Sequence, residues 1–448
     1  MKLKKFVVCA LLCLAPTHMV LAATGVDDVK ALGTTLTPMG AEMAGNKDGT
    51  IPAWTGGLRD APACHEQGSG RLCDPFADEK PLLSITAENM AEYADRLSEG
   101  QKALLKTYPS YRIDVYPSHR SVALPQSVYE NTAKNVGRAQ TTDGGVGLVG
   151  AHGGAPFPIP KDGFEVMWNH LTRYLGQSRA ATSDTYNVDA AGNTMLAVRT
   201  RLVEDFPYYD PDKAEGDVFW RMRHNYIAPP RQAGWGLIII DPLSPAIKGR
   251  RAWQYLPGQR RVRLAPDLAF DTPATQNAGA AFFDDIFMFN GSMERYDFEL
   301  IGKKEMYVPY NNYKYVWTAS VADLLQPNHI NPDVMRWEMH RVWVVEASLK
   351  SNARHAYAKR RFYVDEDSWF VLLNESYDAR GELWRTAVQG LAPNYEALVP
   401  STTTHVIYDL NKGSYTQVST VNEQKIEYGG PQGDRVFAPD ALAGAGVR

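Results

Sequence analysis

The stretch Arg251-Ala-Trp253-Gln-Tyr255-Leu-Pro257-Gly258-Gln-Arg260-Arg261-Val-Arg263 reads as strand, turn, strand. Trp253 and Tyr255 alternate to one face of the first strand, and Pro257-Gly258 turns the chain. Arg261 and Arg263 then share a face of the second strand, with Val262 opposite. This alternation places aromatics toward an interior. The guanidinium groups fall at a rim, where they can meet carboxylate or phosphate heads. An ordinary hairpin with a solvated cationic face is the competing reading.

The same period of 2 extends on both sides of this hairpin. Strands are expected at Thr194–Val203, Val218–Tyr226, Gly236–Ile240, Tyr296–Lys303, Arg336–Leu349, Ala356–Val364, Phe370–Tyr377, Leu383–Ala387, Thr403–Asp409 and Tyr415–Val421. Turn-rich tracts such as Asp378-Ala-Arg-Gly381 and Asn411-Lys-Gly413 separate several of them. So many consecutive, turn-linked strands predict an antiparallel meander that curls. Residues 190–425 are assigned to this sheet and 23–176 to a helical and irregular part, with 23–448 as a single domain. In the N-terminal part, Thr86 can cap a helix whose stripe runs Met90, Tyr93, Ala94, Leu97, Leu104, Leu105. A second helix is expected over Val128–Arg138. A third carries Phe164, Met167, Trp168, Leu171, Tyr174 and Leu175 on one face and stops at Gly176.

The first residues predict export. Lys2, Lys4 and Lys5 precede the apolar run Phe6–Ala15, and Val20-Leu-Ala22 offers a small-residue cleavage site between Ala22 and Ala23. Residues 1–22 are therefore a signal peptide and the mature protein is periplasmic. Losing the leader takes the formal charge from -4 to about -7. An acidic chain has no electrostatic footprint for nucleic acid. With 44% apolar and 22% charged residues it is neither a helical membrane bundle nor a disordered chain. Two cysteines leave with the leader. In an oxidising compartment the remaining pair, Cys64 and Cys73, reads as a disulfide; as a zinc site with His65 it would be one ligand short.

Motifs for bond chemistry are incomplete. Gly145-Val-Gly147-Leu-Val-Gly150 matches a dinucleotide fingerprint, but the Gly/Pro-rich continuation to Pro160 cannot open the helix that a pyrophosphate needs. His152-Gly-Gly154 is similar to an esterase oxyanion loop, yet no Ser occupies a G-x-S-x-G elbow. His340 and Glu346 could share one side of a strand and read as structural. The expectation is a protein that is not an enzyme, with no catalytic residue, cofactor or metal.

Resemblance to known families sharpens this. Trp253-x-Tyr255-x-Pro257 resembles the hairpin of Lol-type outer-membrane lipoprotein carriers, and Tyr363-Val-Asp365, Trp369, Glu375-Ser-Tyr377-Asp378 and Gly381-Glu-Leu383 resemble a later hairpin of that superfamily. More closely, the chain resembles the proteobacterial domain-of-unknown-function family 1329. The matching stretches are Leu36-Thr-Pro-Met-Gly-Ala-Glu42, Asp48-Gly-Thr-Ile-Pro-Ala-Trp54-Thr-Gly-Gly57, Gly154-Ala-Pro-Phe-Pro-Ile-Pro160 and Met167-Trp-Asn-His170. The resemblance implies an α+β fold: a large, curved, half-open antiparallel β-barrel wrapped around helices, with an apolar cavity between. It implies a periplasmic carrier that shields a lipid-like or other hydrophobic ligand within an envelope transport system. An inner-membrane exporter-like protein and an outer-membrane protein are its implied companions, with a place peripheral to the outer membrane. Trp168, Trp253, Tyr255, Arg261 and Arg263 are the candidate ligand-binding residues. The competing function classes are a non-transport accessory subunit that binds a membrane protein, and a hydrolase of unrecognised type.

Overall fold

The computed structural model describes residues 24–446 apart from residues 70, 215 and 275–278. The expected leader and its cleavage between Ala22 and Ala23 lie outside the described residues. Four helices come first: α1 (Thr24–Ala31), α2 (Glu99–Thr107), α3 (Gln126–Asn135) and α4 (Gly163–Leu171). The stripe from Met90 to Leu105 predicts one helix, and the structure forms two. Leu97 is extended (φ -113, ψ 142), ending a 3-10 segment at Arg96. Ser98 then starts α2 with a capping box: its hydroxyl accepts from Gln101 N–H, and Gln101 Oε1 accepts from Ser98 N–H at 2.8 Å. That reciprocal pair satisfies two orphan donors, so a break costs less than the bare periodicity suggests.

The strands are numbered in chain order. Short β1 (Leu83–Ile85), β2 (Ile113–Val115), β3 (Gln140–Thr142) and β4 (Gly147–Val149) lie in the N-terminal part. One antiparallel meander is β5 (Ser178–Val188), β6 (Thr194–Asp205), β7 (Val218–Ala228), β8 (Gly236–Pro242), β9 (Arg251–Leu256) and β10 (Arg261–Leu264). A second is β11 (Tyr296–Pro309), β12 (Trp337–Leu349), β13 (Lys359–Asp365), β14 (Val371–Tyr377), β15 (Leu383–Gln389), β16 (His405–Asp409) and β17 (Ser414–Thr420). The meanders join where β17, and beyond it β18 (Ile426–Gly429), lie antiparallel along β5. The order is thus β11 to β17, then β5 to β10, in one large and mostly antiparallel sheet. β10 and β11 pair on one side only among the described residues, so the sheet stays open.

The expected boundary of the sheet at 190–425 needs correction: β1 and β2 join it beside β12, its long strands begin with β5 at Ser178, and β18 extends it past 425. β5 is Ser-Arg-Ala-Ala-Thr-Ser-Asp-Thr-Tyr-Asn-Val, too polar to announce a strand, yet it is paired along its length with β6.

The sheet bends around α4. Asp162 caps this helix, accepting from Glu165 N–H at 2.9 Å. At its start, Gly163 lies so close to β11 that a Cβ would meet the Phe298 carbonyl at 2.7 Å. One turn on, Trp168 stands edge-on to Phe219 of β7 at 6.0 Å. One helix therefore touches a marginal strand of the second meander and a strand of the first. Apolar side chains from Met39 to Val421 form a contiguous core around it. Cys64 and Cys73 are bridged, with Cα atoms 6.1 Å apart. The segment Pro439–Gly446 lies across β8, β9 and β10 and buries Leu442 against Ile238 and Tyr255.

Candidate functional site

A small cavity of about 80 Å³ opens under the first meander. Strand alternation builds its wall. Arg179, Ser183 and Thr185 of β5 share a face with Val198, Thr200, Leu202 and Glu204 of β6, because Thr185 is paired with Val198, Ser183 with Thr200 and Arg179 with Glu204. The same face continues through Met222, His224 and Tyr226 of β7 to Leu237 of β8. Thr403, His405 and Val418 close it from the second meander. Side chains from so many strands can converge on one space only if the sheet is concave there.

Phe283, Ile286 and Phe287 form the opposite wall. Their segment is clamped from behind: Arg360, fully buried on β13, reaches Asp284 at 3.1 Å and Asp285 at 2.9 Å. His355 Nε2 meets Asp284 at 3.0 Å, and Tyr357 donates to Asp285 at 3.0 Å. Burial alone would raise the Asp284 carboxyl, but Arg360 and His355 hold it below the ordinary carboxylate range. Phe287 is left-handed (φ 56), a conformation costly for an aromatic residue and maintained by this clamp.

The electrostatics are uneven. Arg179 pairs through Nε with Glu204, and its Nη2 donates to Thr403 Oγ1 at 3.2 Å. Trp220 Nε1 donates to the other Glu204 oxygen at 3.2 Å. Arg173 lies over the Phe287 ring at 5.3 Å and over Phe370 at 4.8 Å. Burial, reinforced by Arg179, pushes its guanidinium down to about 9. Burial likewise pushes His224 and His405 down to about 4. His405 Nδ1 donates to Thr403 O at 2.8 Å, which fixes the tautomer with a lone pair on Nε2. The cavity is thus a partly apolar chamber with hydroxyls, two neutral imidazoles and a buried cation.

The five residues singled out from the sequence do not converge here. Trp168 is buried, donates from Nε1 to Gly145 O at 2.9 Å, and borders a separate hollow with Phe219 and Met293. Trp253 is paired with Ile238, and Tyr255 with Val262, on the face opposite Leu237. Aromatics pointing toward a cavity is the expectation; the structure packs them instead against Leu442, because the Pro439–Gly446 segment covers that side. Arg261 and Arg263 occupy the cavity-side face, as the pairing of Arg263 with Gln254 and Gln254 with Leu237 requires. They are exposed at the sheet's free margin. The reading missed Arg179, Glu204, His224 and His405. The even-numbered positions from Val198 to Glu204 carried a period-2 signal, but β5, which completes that wall, was not seen.

His340 and Glu346 are occupied elsewhere. His340 Nε2 lies 3.0 Å from Glu338 and its ring stacks on Tyr310 at 3.6 Å, whereas Glu346 accepts from Arg361 at 2.6 Å. Ligand atoms of His340, Asp365 and Asp367 come within 4.8 Å of one another, close enough to hold a cation. However, Arg120 grips Asp367 with two bonds of 2.9 and 2.7 Å. Burial and the neighbouring Asp367 charge raise the Asp365 carboxyl well above its ordinary value. The cluster is balanced as an ion-pair network. No described helix is long and apolar enough to cross a membrane.

The family described as "Protein of unknown function (DUF1329)" matches residues 84–443. An uncharacterized protein of Pseudomonas aeruginosa is 41% identical over 442 residues, covering 96% of this chain and 95% of the relative. Three solved structures are similar at low identity. A putative outer membrane lipoprotein-sorting protein domain from Vibrio parahaemolyticus aligns at 17% identity and a TM-score of 0.44, over 63% of this chain and 98% of its own. A DUF1329 family protein from Desulfovibrio piger aligns at 15% and 0.40, over 60% and 92%. A LolA superfamily protein from Nitrosomonas europaea aligns at 12% and 0.38, over 63% and 100%.

Proposed function

The chain belongs to the DUF1329 family, and from that premise we propose that it is a periplasmic binding protein that carries a lipid-like ligand in the cavity under β5 to β8. The observation that carries this reading is the cavity itself. As it stands it encloses about 80 Å³, less than the roughly 300–1,000 Å³ of small-molecule sites, so an acyl tail enters it only as the walls part. Its walls include Val198, Leu202, Met222, Leu237, Ile286 and Phe287. Burying an acyl chain gains about 0.8 kcal/mol per CH₂, so a tail lying along these side chains is held without any bond chemistry.

In this reading the sheet works as a half-open barrel, with α4 and the clamped Phe283–Met288 segment filling the side that the strands leave open. Arg261 and Arg263 stand at the free margin on the cavity side, where they would meet a charged head before it enters. Transfer between an inner-membrane exporter-like protein and an outer-membrane protein is the route that the sequence resemblance implies.

The test is extraction. Protein purified from its own periplasm is expected to release a stoichiometric amphiphile into organic solvent, identified by mass spectrometry. Leu202→Trp, which fills the cavity, is expected to abolish that copurification while leaving the circular dichroism spectrum unchanged. An empty wild-type protein that also fails to bind added fatty acid or lysophospholipid would refute the carrier reading.

A further inference from the structure

Resting on the carrier reading, we infer that the ligand's head is an oxyanion, a carboxylate or a phosphate monoester, seated at Arg179 with Arg173 behind it. The argument is a charge balance. Two charged side chains line the cavity, Arg179 and Glu204, and a third, Arg173, lies against the Phe287 ring of its wall. Glu204 is committed to Arg179 and to Trp220 Nε1. Arg173 has no carboxylate partner among the described residues; its Nη1 donates to His170 O at 2.6 Å, and its Nε has no partner at all. His224 and His405, the other titratable groups on the wall beside Tyr226, are neutral at pH 7. Two guanidinium groups therefore share one carboxylate, in a place where Arg173 is 5% exposed and Arg179 4%. An uncompensated buried charge is costly unless something completes it.

The geometry provides a seat for the missing anion. Arg179 lines the cavity, and its fork is only partly used: Nε goes to Glu204 and Nη2 to Thr403. Further along the same face, four residues on from Arg179, stand the Ser183 and Thr200 hydroxyls, 3.3 Å from each other. Both guanidinium groups lie on the same Phe287 ring, Arg173 at 5.3 Å and Arg179 at 5.8 Å. An anion bonded to Arg179 is thus within the field of Arg173, through a ring and in a low-dielectric interior where charges are weakly screened. Bidentate recognition of carboxylate or phosphate is the chemistry a guanidinium fork suits best. The seat is buried, and so is distinct from the exposed Arg261 and Arg263.

The experiment compares three probes with one tail and different heads: palmitic acid, hexadecyl phosphate and hexadecanol. Each is titrated by competition against a fluorescent fatty alcohol. Wild-type protein is expected to prefer one or both anions to the alcohol by about tenfold or more, the scale of charge-assisted hydrogen bonds; which anion binds more tightly identifies the head. Arg173→Met is expected to erase most of that preference with the alcohol's affinity unchanged. Arg179→Met with Glu204→Gln, which removes the ion pair as a unit, is expected to do the same. Equal affinities for all three probes in wild type would overturn the inference while leaving the carrier reading intact, and this comparison needs no variant to fold. Binding of none would remove the carrier reading itself, and this inference with it. A preference that survives at Arg173 and Arg179 but vanishes in Arg261→Glu/Arg263→Glu would overturn it in favour of the hairpin.

Discussion

The imidazole of His170 is bonded to the backbone of Val371: Val371 N–H donates to Nδ1 at 3.2 Å. Nδ1 also lies 3.1 Å from Trp369 O, and Nε2 lies 3.2 Å from Phe289 O. Burial, with Arg173 nearby, holds this histidine neutral, its basicity well below the usual value. One side chain on α4 thus ties the helix both to β14 and to the segment that follows the cavity's clamped wall. His170→Ala leaves two backbone groups without partners and a void. Each orphaned group costs about 1–3 kcal/mol, so a loss of about 3 kcal/mol or more is expected in urea unfolding. A loss below about 1 kcal/mol would show that the tie carries no weight.

The neutral histidines on the cavity wall make stability depend on pH. His224 and His405 titrate at about 4 when folded, from an ordinary value of 6.5. Between those values the unfolded chain binds protons that the folded one does not, so stability falls as the pH falls from 6.5 toward 4. Burial is the main cause; Glu204 opposes it at His224, while Arg179 and Arg173 reinforce it at His224 and His405 respectively. At about 1.4 kcal/mol per pH unit, each residue accounts for about 3 kcal/mol across the window. Urea midpoints at pH 7 and pH 4.5 are expected to differ less in His224→Leu than in wild type. An unchanged difference would mean that His224 is not held neutral.

Gly100 permits α2 to dock on β15. A Cβ there would come 2.0 Å from Thr386 Oγ1, and Thr386 is itself bonded to Asn374 O at 3.1 Å. The Gly100 N–H also donates to buried Glu375 at 2.8 Å. Gly100→Ala is expected to destabilise the protein by about 1–3 kcal/mol through overpacking, despite alanine's better helix propensity. Gly100→Ala/Thr386→Ala is expected to recover part of that loss; a double variant no better than the single one would locate the strain elsewhere.

The bridge between Cys64 and Cys73 closes a loop with a sequence separation of 9. Alkylation of the purified protein before reduction is expected to label neither cysteine. Reduction is expected to lower stability by about 2–3 kcal/mol on the loop-entropy account. Because Tyr395 donates to Cys73 O at 3.3 Å and accepts from Cys73 N–H at 3.0 Å, reduction is expected to loosen this contact as well; Tyr395→Phe tests the coupling.

Most of the sheet was legible because its strands either alternate, as in Thr194–Val203, or are short β-branched runs bounded by turn residues, as in Gly236–Ile240. β5 was not, since polar side chains such as Ser183 and Asp184 find Thr200 and Arg199 of β6 as partners only once the strands pair. Its absence from the reading hid the cavity wall it completes. The hairpin at Trp253 was recognised as two strands with distinct faces. Which face pointed inward depended on Leu442, far along the chain, and alternation alone cannot supply that. Arg173 was invisible for a related reason: a cation just past a helix end normally reads as solvated, and only the packing of Phe287 and Phe370 over it shows otherwise.

The seam along β5 also bears on how fast this chain can reach its native state. β6 meets β5 after a short turn, but the strand on its other side arrives late: the bond between Thr416 and Asn187 spans 229 positions. Closing so long a loop comes before any of its contacts can repay the entropy, and topologies dominated by such pairings fold slowly. Until then β5 exposes an unpaired edge. A greasy strand in that role would invite association with other chains in transit. Arg179, Ser183, Asp184 and Asn187 make it a poor template for such pairing, so the polarity that disguised β5 as a loop protects the half-made sheet while it waits for its partner.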